Sequence, residues 1–137
     1  MQLTALFFTV LLLISMGFFM MGSLPLLVLK HDTPLDARFI RGLFDVYYKA
    51  LMTTATLGAF CYVFAERPTM AVVLGCVAVL GVAGRQWFVT RMDGLRSIMT
   101  AGDRASIRSF RQLHIAGMVL NVALLGTFCL GMAYLRS

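Results

Sequence analysis

Five polar residues in an otherwise apolar chain are of a type and spacing that could do chemistry: Asp45, Lys49, Arg85, His114 and Asn121. Asp45 and Lys49 are four residues apart with the acid first, which is the favourable order for a helical ion pair. His114 and Asn121 are seven residues apart and therefore share one face of a helix. Ionisable groups inside a membrane are costly, so they are candidates for function by default.

Together these five residues could hold the polar head of an amphiphile, such as a quinone or a phospholipid. We therefore take all five as candidate headgroup-binding residues. We expect the face with His114 and Asn121 to turn inward, because an asparagine facing lipid has no hydrogen-bond partner. We expect that face to pack against a polar stripe of the second span: Asp45, Lys49, Thr53 and Thr56. A structural interpretation stays open beside this one. Asp45 and Lys49 could form a pair within one helix, and Arg85 could extend its guanidinium to the interface. Asn121 could join two helices through a hydrogen bond worth about 0.6–2 kcal/mol.

Other chemistry has less support. We find no nucleophile–base pair and no glycine-rich phosphate loop, so we predict no catalytic residue. The only two histidines are His31 and His114, and His31 sits beside Asp32, which is a poor arrangement for two haem ligands. Copper could use soft ligands or an imidazole, but methionines also fill gaps in helix packing. The candidate copper ligands are Met16, Met20, Met21, His114 or a cysteine.

The three cysteines do not form a metal-binding or redox motif. They are far apart in the sequence and stand within apolar runs: Cys61, Cys76 and Cys129. No CxxC or zinc-type spacing is present, so these residues are typical of small buried hydrophobes. We expect no metal and no haem, and a quinone is the one cofactor that the polar residues could bind.

The composition places the chain in a membrane. Of its 137 residues, 60% are hydrophobic and 13% are charged, and the mean hydropathy is +0.86. A soluble domain has about 25% charged residues. The chain is basic as well, with a net charge of +6. We expect lipid to be its solvent, and we expect the excess of basic residues to set its topology.

Four apolar segments are long enough to cross a bilayer, which takes about 20 residues. They cover roughly residues 3–29, 44–65, 68–90 and 113–135. No basic residue precedes the first segment, which is too long for the core of a signal peptide, so we expect it to be retained. The prediction is one all-α domain over residues 1–137, an integral membrane four-helix bundle.

Basic residues predict the orientation of this bundle. One side carries eight of them in two connections: Lys30, Arg38, Arg41, Arg91, Arg96, Arg104, Arg108 and Arg111. The other side carries Arg67 and Arg136. The positive-inside rule places the richer side in the cytoplasm. We therefore expect a bacterial inner-membrane protein with both termini in the periplasm, and the five candidate residues in the cytoplasmic half.

Two connections have helical signals of their own. Residues 103–113 combine a capping Asp103 with arginines at i, i+4 and i+7, which predicts a short amphipathic interfacial helix before the last span. Its basic residues are candidate contacts for anionic phospholipid: Arg104, Arg108 and Arg111. In the first connection, Thr33 and Pro34 predict a helix start, with a bend near Gly42. We expect no binding of nucleic acid, because the arginines lie against the membrane.

The stretch GDRASIRSFRQLHIAGMVLN resembles the opening of the last span in a family of small four-helix bacterial membrane proteins of unknown function. Phe110, Leu113, His114 and Asn121 carry the resemblance. Copper-resistance D-like and anthrone-oxygenase-like proteins are similar in size and layout. The resemblance implies a four-helix membrane architecture and draws attention to His114 and Asn121, and it implies no particular activity.

Two functions follow as hypotheses. The first is a small non-catalytic inner-membrane protein, an accessory or assembly component that binds other membrane proteins or copies of itself. The second is a binding or redox protein that holds a quinone or lipid headgroup among the five candidate residues. Pairs of small residues spaced four apart support the first hypothesis, among them Thr54 with Gly58 and Ala71 with Gly75.

Overall fold

Four helices make up the structure. The computed structural model describes residues 1–28, 34–98 and 103–136, and it is 94% helical with no strand in those ranges. The helices in chain order are α1 (Gln2–Leu26), α2 (Pro34–Phe64), α3 (Pro68–Ile98) and α4 (Arg104–Arg136). The predicted all-α bundle is therefore confirmed.

Three of these helices are long and apolar enough to cross a membrane: Gln2–Leu26, Pro68–Ile98 and Arg104–Ala133. The protein is accordingly a membrane protein. α2 is not among the three, because Asp45, Lys49 and the adjacent tyrosines lower its hydropathy. α2 is helical over almost the whole predicted span of 44–65, and its crossing of the membrane stays a prediction.

The two predicted connecting helices are parts of the long helices. The amphipathic segment after Asp103 continues without a break into the last span and forms the first turns of α4. Likewise α2 begins at Pro34 and runs through Gly42 as one helix. Thr33, the predicted cap, lies outside the described residues. A 31-residue helix is roughly 46 Å long, against about 30 Å of hydrocarbon, so each helix has room to extend beyond the bilayer core.

Side chains and backbone define two of the helix ends. Asp103 caps α4, since its carboxylate accepts bonds from the Ser106 amide at 3.3 Å and the Ser106 hydroxyl at 2.7 Å. At the other side, α2 ends where Glu66 adopts a left-handed φ of 57°. The Arg67 amide then bonds back to the Tyr62 carbonyl at 3.0 Å, a Schellman-type end, and Pro68 begins α3.

The cap on α4 should respond to acid. The hydrogen bonds from Ser106 hold the pKa of Asp103 below its usual value, so the carboxylate stabilises the helix start above the unfolded pKa of about 3.9. As the pH falls through the lower folded pKa, that contribution is lost. The protection of the Ser106 amide, measured as its exchange rate relative to an unfolded chain at the same pH, should therefore fall below about pH 4. Asp103→Asn keeps an acceptor without a titrating group and should show no such step; an identical step in this variant would contradict the assignment.

The core lies where α2 packs along both α1 and α3, while α4 rests less closely on α1 and α3. Extensive backbone contact between α2 and α4 is not seen among the described residues, so these two helices are diagonal to each other. Large buried side chains fill the space between the four helices: Leu12, Met16, Phe19, Ile40, Phe44, Leu51, Leu74, Met92 and Phe110. The candidate site is set by what the four helices turn toward this centre.

Candidate functional site

Asp45 is the centre of an ion-pair network between α2 and α3. Its Oδ2 lies 2.7 Å from Lys49 Nζ, and its Oδ1 accepts bonds from Arg85 Nε at 3.0 Å and from an Arg85 terminal nitrogen at 2.7 Å. The carboxylate is nearly buried, whereas Arg85 is half-buried and Lys49 is exposed. Three of the five candidate residues are therefore brought together, with one carboxylate between two cations at the α2–α3 contact.

A second ion pair joins the same two helices nearer the arginine-rich end. Arg41 contacts both carboxylate oxygens of Asp93, at 3.0 and 3.1 Å. Arg96 lies 3.7 Å from the same carboxylate. A planar guanidinium that meets a carboxylate with two bonds fixes the relative orientation of both groups. The α2–α3 pair is thus held by two polar contacts in addition to its apolar packing.

Asn121 joins three helices in the core. Its side-chain nitrogen donates to the Met16 carbonyl of α1 at 3.2 Å, and its side-chain oxygen accepts a hydrogen bond from the Tyr47 hydroxyl of α2. The exposed fractions of Asn121 and Tyr47 are 1% and 5%. The Tyr47 ring also stacks on Phe19 at 4.1 Å between centroids. Both the oxygen and the nitrogen of the Asn121 side chain therefore form hydrogen bonds, which link α4 to α2 and to α1.

His114 is fully buried about two turns before Asn121, on the same face of α4. Its ring meets the Phe44 ring edge-on, with 5.8 Å between the centroids. Gly117 lies between the two polar residues and lets the Phe44 ring approach the α4 backbone closely. The prediction that this face of α4 turns inward is therefore right.

The two halves of the candidate set are separated, because they face different neighbours. We expected the Asp45–Lys49 stripe to pack against the His114–Asn121 stripe, and that expectation is wrong. Successive residues of a helix point about 100° apart, so when Phe44 and Tyr47 face the centre, Asp45 must face α3. Thr53 and Thr56, which continue the Asp45 stripe, are exposed.

Sequence reasoning missed Phe44 and Tyr47, which are the residues of α2 that meet the polar face of α4. The spacing of apolar residues in α2 could have indicated this face. Phe44, Tyr47 and Leu51 stand at i, i+3 and i+7, which is the spacing of a buried helix face. A tyrosine on such a face carries a hydroxyl that needs a buried partner, and Asn121 is a suitable acceptor.

The arginines at the start of α4 have different surroundings. Arg104 and Arg108 are exposed, as lipid or solvent contacts should be. Arg111 is exposed as well, and it donates to the Leu27 carbonyl at 3.3 Å, just beyond the end of α1. A cation at this end of a helix complements the partial negative charge of the free carbonyl groups. The opposite face is packed, since Phe110 and Leu113 are buried.

Of the two pairs of small residues, one lies in a close helix contact and the other does not. Gly58 packs inside the bundle, where an added methyl group would meet Leu74 of α3 and Phe8 of α1. Gly75 has open space around its Cα. The first pair is thus used in close helix packing within one chain. His31, the other histidine considered as a haem ligand, lies outside the described residues.

Four crevices in the described part of the chain are lined by residues other than the five candidates. Three of them lie along α3 and α4, one of the two helix pairs in which α4 packs loosely. The chain matches no family model, no curated protein and no solved structure, so its resemblance to the small four-helix family stays a prediction.

Proposed function

We propose that the protein is a non-catalytic membrane protein that serves as an accessory or assembly component of a membrane complex. The observation that carries this proposal is that these polar residues are bonded to other residues of the same chain. Asp45 is bonded to Arg85 and Lys49, and Asn121 is bonded to Tyr47 and to the α1 backbone. Groups engaged in holding helices together are poorly suited to act on a substrate, so the protein works through its surface.

The outer surface offers ample area for such a role. In the three candidate spans, the apolar windows are only 28%, 28% and 22% buried inside the bundle. Most of each window therefore faces lipid or another membrane protein. Contacts between membrane helices are driven by close packing and by occasional hydrogen bonds, which a bundle of this kind can provide at many positions.

The alternative function, a quinone or lipid headgroup held by the five candidate residues, has less support. It needs those residues to converge on one opening. Asp45, Lys49 and Arg85 instead form one group between α2 and α3, while His114 and Asn121 belong to the core. A headgroup would have to displace contacts that now hold the helices together, and each broken buried contact costs about 1–3 kcal/mol.

Mild extraction from the native membrane after chemical cross-linking tests the accessory role. We expect a second membrane protein to co-purify in a fixed ratio, and we expect to recover the same ratio without the cross-linker in a gentle detergent. Mass spectrometry and a visible absorption spectrum of the same sample provide the opposing readout. A chain recovered alone or only with copies of itself, or one carrying stoichiometric quinone, haem or metal, would contradict the proposal.

We further place the protein in a bacterial inner membrane with both termini in the periplasm, and the asymmetry of basic residues supports this orientation. In a background without the three native cysteines, Ser97→Cys and Ser137→Cys can be labelled with a membrane-impermeant reagent on intact spheroplasts. We expect labelling at 137 and none at 97 until the membrane is opened. Labelling at 97 alone would reverse the orientation.

A further inference from the structure

A groove runs between α3 and α4, where the two helices separate. At the arginine-rich end it opens into a crevice of about 590 Å³ lined by Trp87 and Arg91 of α3 and by Ser109 and Gln112 of α4. A second crevice of about 400 Å³ shares Trp87 with the first. A third crevice, of about 320 Å³, continues from the second toward the other end of the helices.

The three crevices form one path because adjacent ones share residues. Leu80 and Leu124 line both the second and the third crevice. From Arg91 to Leu80 is eleven residues of α3, or roughly 16 Å along the helix. That length is close to one leaflet of a hydrocarbon core about 30 Å thick. The path therefore has the length of an acyl chain that reaches from the interface to the middle of the bilayer.

The chemistry of the groove changes along this path. Its first crevice has a guanidinium, a hydroxyl and a side-chain amide: Arg91, Ser109 and Gln112. Beyond Trp87 the lining consists almost wholly of apolar side chains, with the Tyr48 ring on one wall. A site with one polar end and one apolar length fits an amphiphile and fits neither a free ion nor a wholly apolar molecule.

The charge at the polar end selects the kind of headgroup. Arg91 lies over the Trp87 ring, with its guanidinium carbon 4.5 Å from the ring centroid. Within the described ranges Arg91 is in no ion pair with a carboxylate, in contrast to Arg41, Arg85 and Arg96. No acidic residue lines the crevice. An oriented guanidinium beside a hydroxyl and an amide donor is suited to a phosphate group.

We propose that the groove between α3 and α4 binds one anionic phospholipid, whose phosphate lies at Arg91, Ser109 and Gln112 and whose acyl chain lies along Leu80 and Leu124. This proposal does not depend on the accessory role. Trp87 stands where the headgroup meets the chain, the level at which tryptophan is enriched in membrane proteins. Its place beside the arginine-rich end agrees with a lipid of the same leaflet.

Trp87 also supplies the measurement, because it is the only tryptophan of the chain. The protein is reconstituted in phosphatidylcholine bilayers that contain a minor fraction of lipid with brominated acyl chains, which quench tryptophan fluorescence on contact. Brominated phosphatidylglycerol is compared with brominated phosphatidylcholine at equal mole fraction. Both lipids carry a phosphate, but the choline cation offsets its charge in phosphatidylcholine, and the crevice has no carboxylate to receive that cation. We therefore expect an apparent preference of about tenfold for the anionic lipid.

Two variants with the same charge change separate a site from general surface attraction. Arg91→Gln should abolish the preference, while Arg108→Gln should leave it, since Arg108 is exposed on the same side but does not line the crevice. Gln112→Glu places a carboxylate in the crevice beside the Arg91 guanidinium and should weaken the preference. Soluble glycerol phosphate, which has no acyl chain, should not compete.

Three results would overturn the proposal. The first is equal quenching by the two brominated lipids in the unmodified protein. The second is an equal loss of preference in Arg91→Gln and Arg108→Gln, which would mean that surface charge alone attracts the lipid. The third is full competition by glycerol phosphate, which would make the site one for a free phosphate. Should Arg91→Gln fail to fold, an unchanged preference in Gln112→Glu would count against the proposal by itself.

Discussion

Replacing Gly117 by alanine is expected to destabilise the bundle by about 1–3 kcal/mol, the usual cost of forcing extra volume into a packed core. A methyl group at this position would overlap the ring of Phe44. That ring cannot move aside easily, because it is fully buried and packs against Phe19, Phe88 and His114. α4 would have to shift outward, which would also strain the hydrogen bonds of its inner face.

Gly126 on the same helix is the matched control. Nothing lies within 4 Å of a methyl group built there. Gly126→Ala should therefore be neutral or stabilising, since alanine favours a helix over glycine by about 1 kcal/mol. Unfolding of both variants in mixed detergent micelles, followed by loss of helical circular dichroism, measures the difference. Equal stability of the two variants would show that Phe44 does not pack against α4 as described.

Changing Asn121 to leucine is expected to cost about 1–3 kcal/mol, because the Tyr47 hydroxyl would then be buried without its acceptor. Membrane hydrogen bonds between helices contribute only about 0.6 kcal/mol on average. The larger figure applies here because the variant removes one partner and leaves the other desolvated. The Met16 carbonyl is a lesser loss, since it sits inside α1 and can accept the helical bond of that helix.

Removing both partners provides the decisive comparison. In the double variant with Asn121→Leu and Tyr47→Phe, no donor is left unsatisfied, so the bundle should recover most of the lost stability. The Phe19 stacking partner stays aromatic in this variant. A double variant as unstable as the sum of the single variants would contradict the Tyr47–Asn121 contact. If co-purification with a partner protein survives in the double variant, the pair has a structural role, as the accessory proposal requires.

Comparison of the single and double variants also tests whether His114 holds a ligand. His114 lies in the core beside Phe44 and on the face that carries Asn121, so a double variant whose core stays packed also keeps the histidine enclosed. A headgroup at His114 would instead need this part of the core to open. If the unmodified protein retained a quinone or lipid and the double variant lost it, that result would favour the alternative function over the accessory role.

Much of the architecture could be read from the residue order alone. Apolar runs near the length of a bilayer predict the helices, and the apolar content predicts the solvent. The residues at the helix ends act locally, so the cap at Asp103 and the start at Pro68 were predictable. The inward turn of Asn121 was predictable as well, because an amide facing lipid has no hydrogen-bond partner.

The pairing of helix faces was decided by the tertiary structure. Periodicity says which residues share a face, but it does not say which neighbouring helix that face meets. Asp45 and Asn121 looked like parts of one site because both are polar and lie at similar depth. α2 turns Phe44 and Tyr47 to the centre, and packing of these large rings outweighs the match between two polar stripes.

The lipid groove is likewise a product of packing. Trp87, Arg91, Ser109 and Gln112 are ordinary residues for the end of a membrane helix, and their spacing predicts no site by itself. They come together because α4 is held at its inner face by Asn121 and Phe44, while its packing against α3 is loose enough to leave crevices. A crevice depends on the distance between two helix axes, and that distance is set by the side chains at the contact between them.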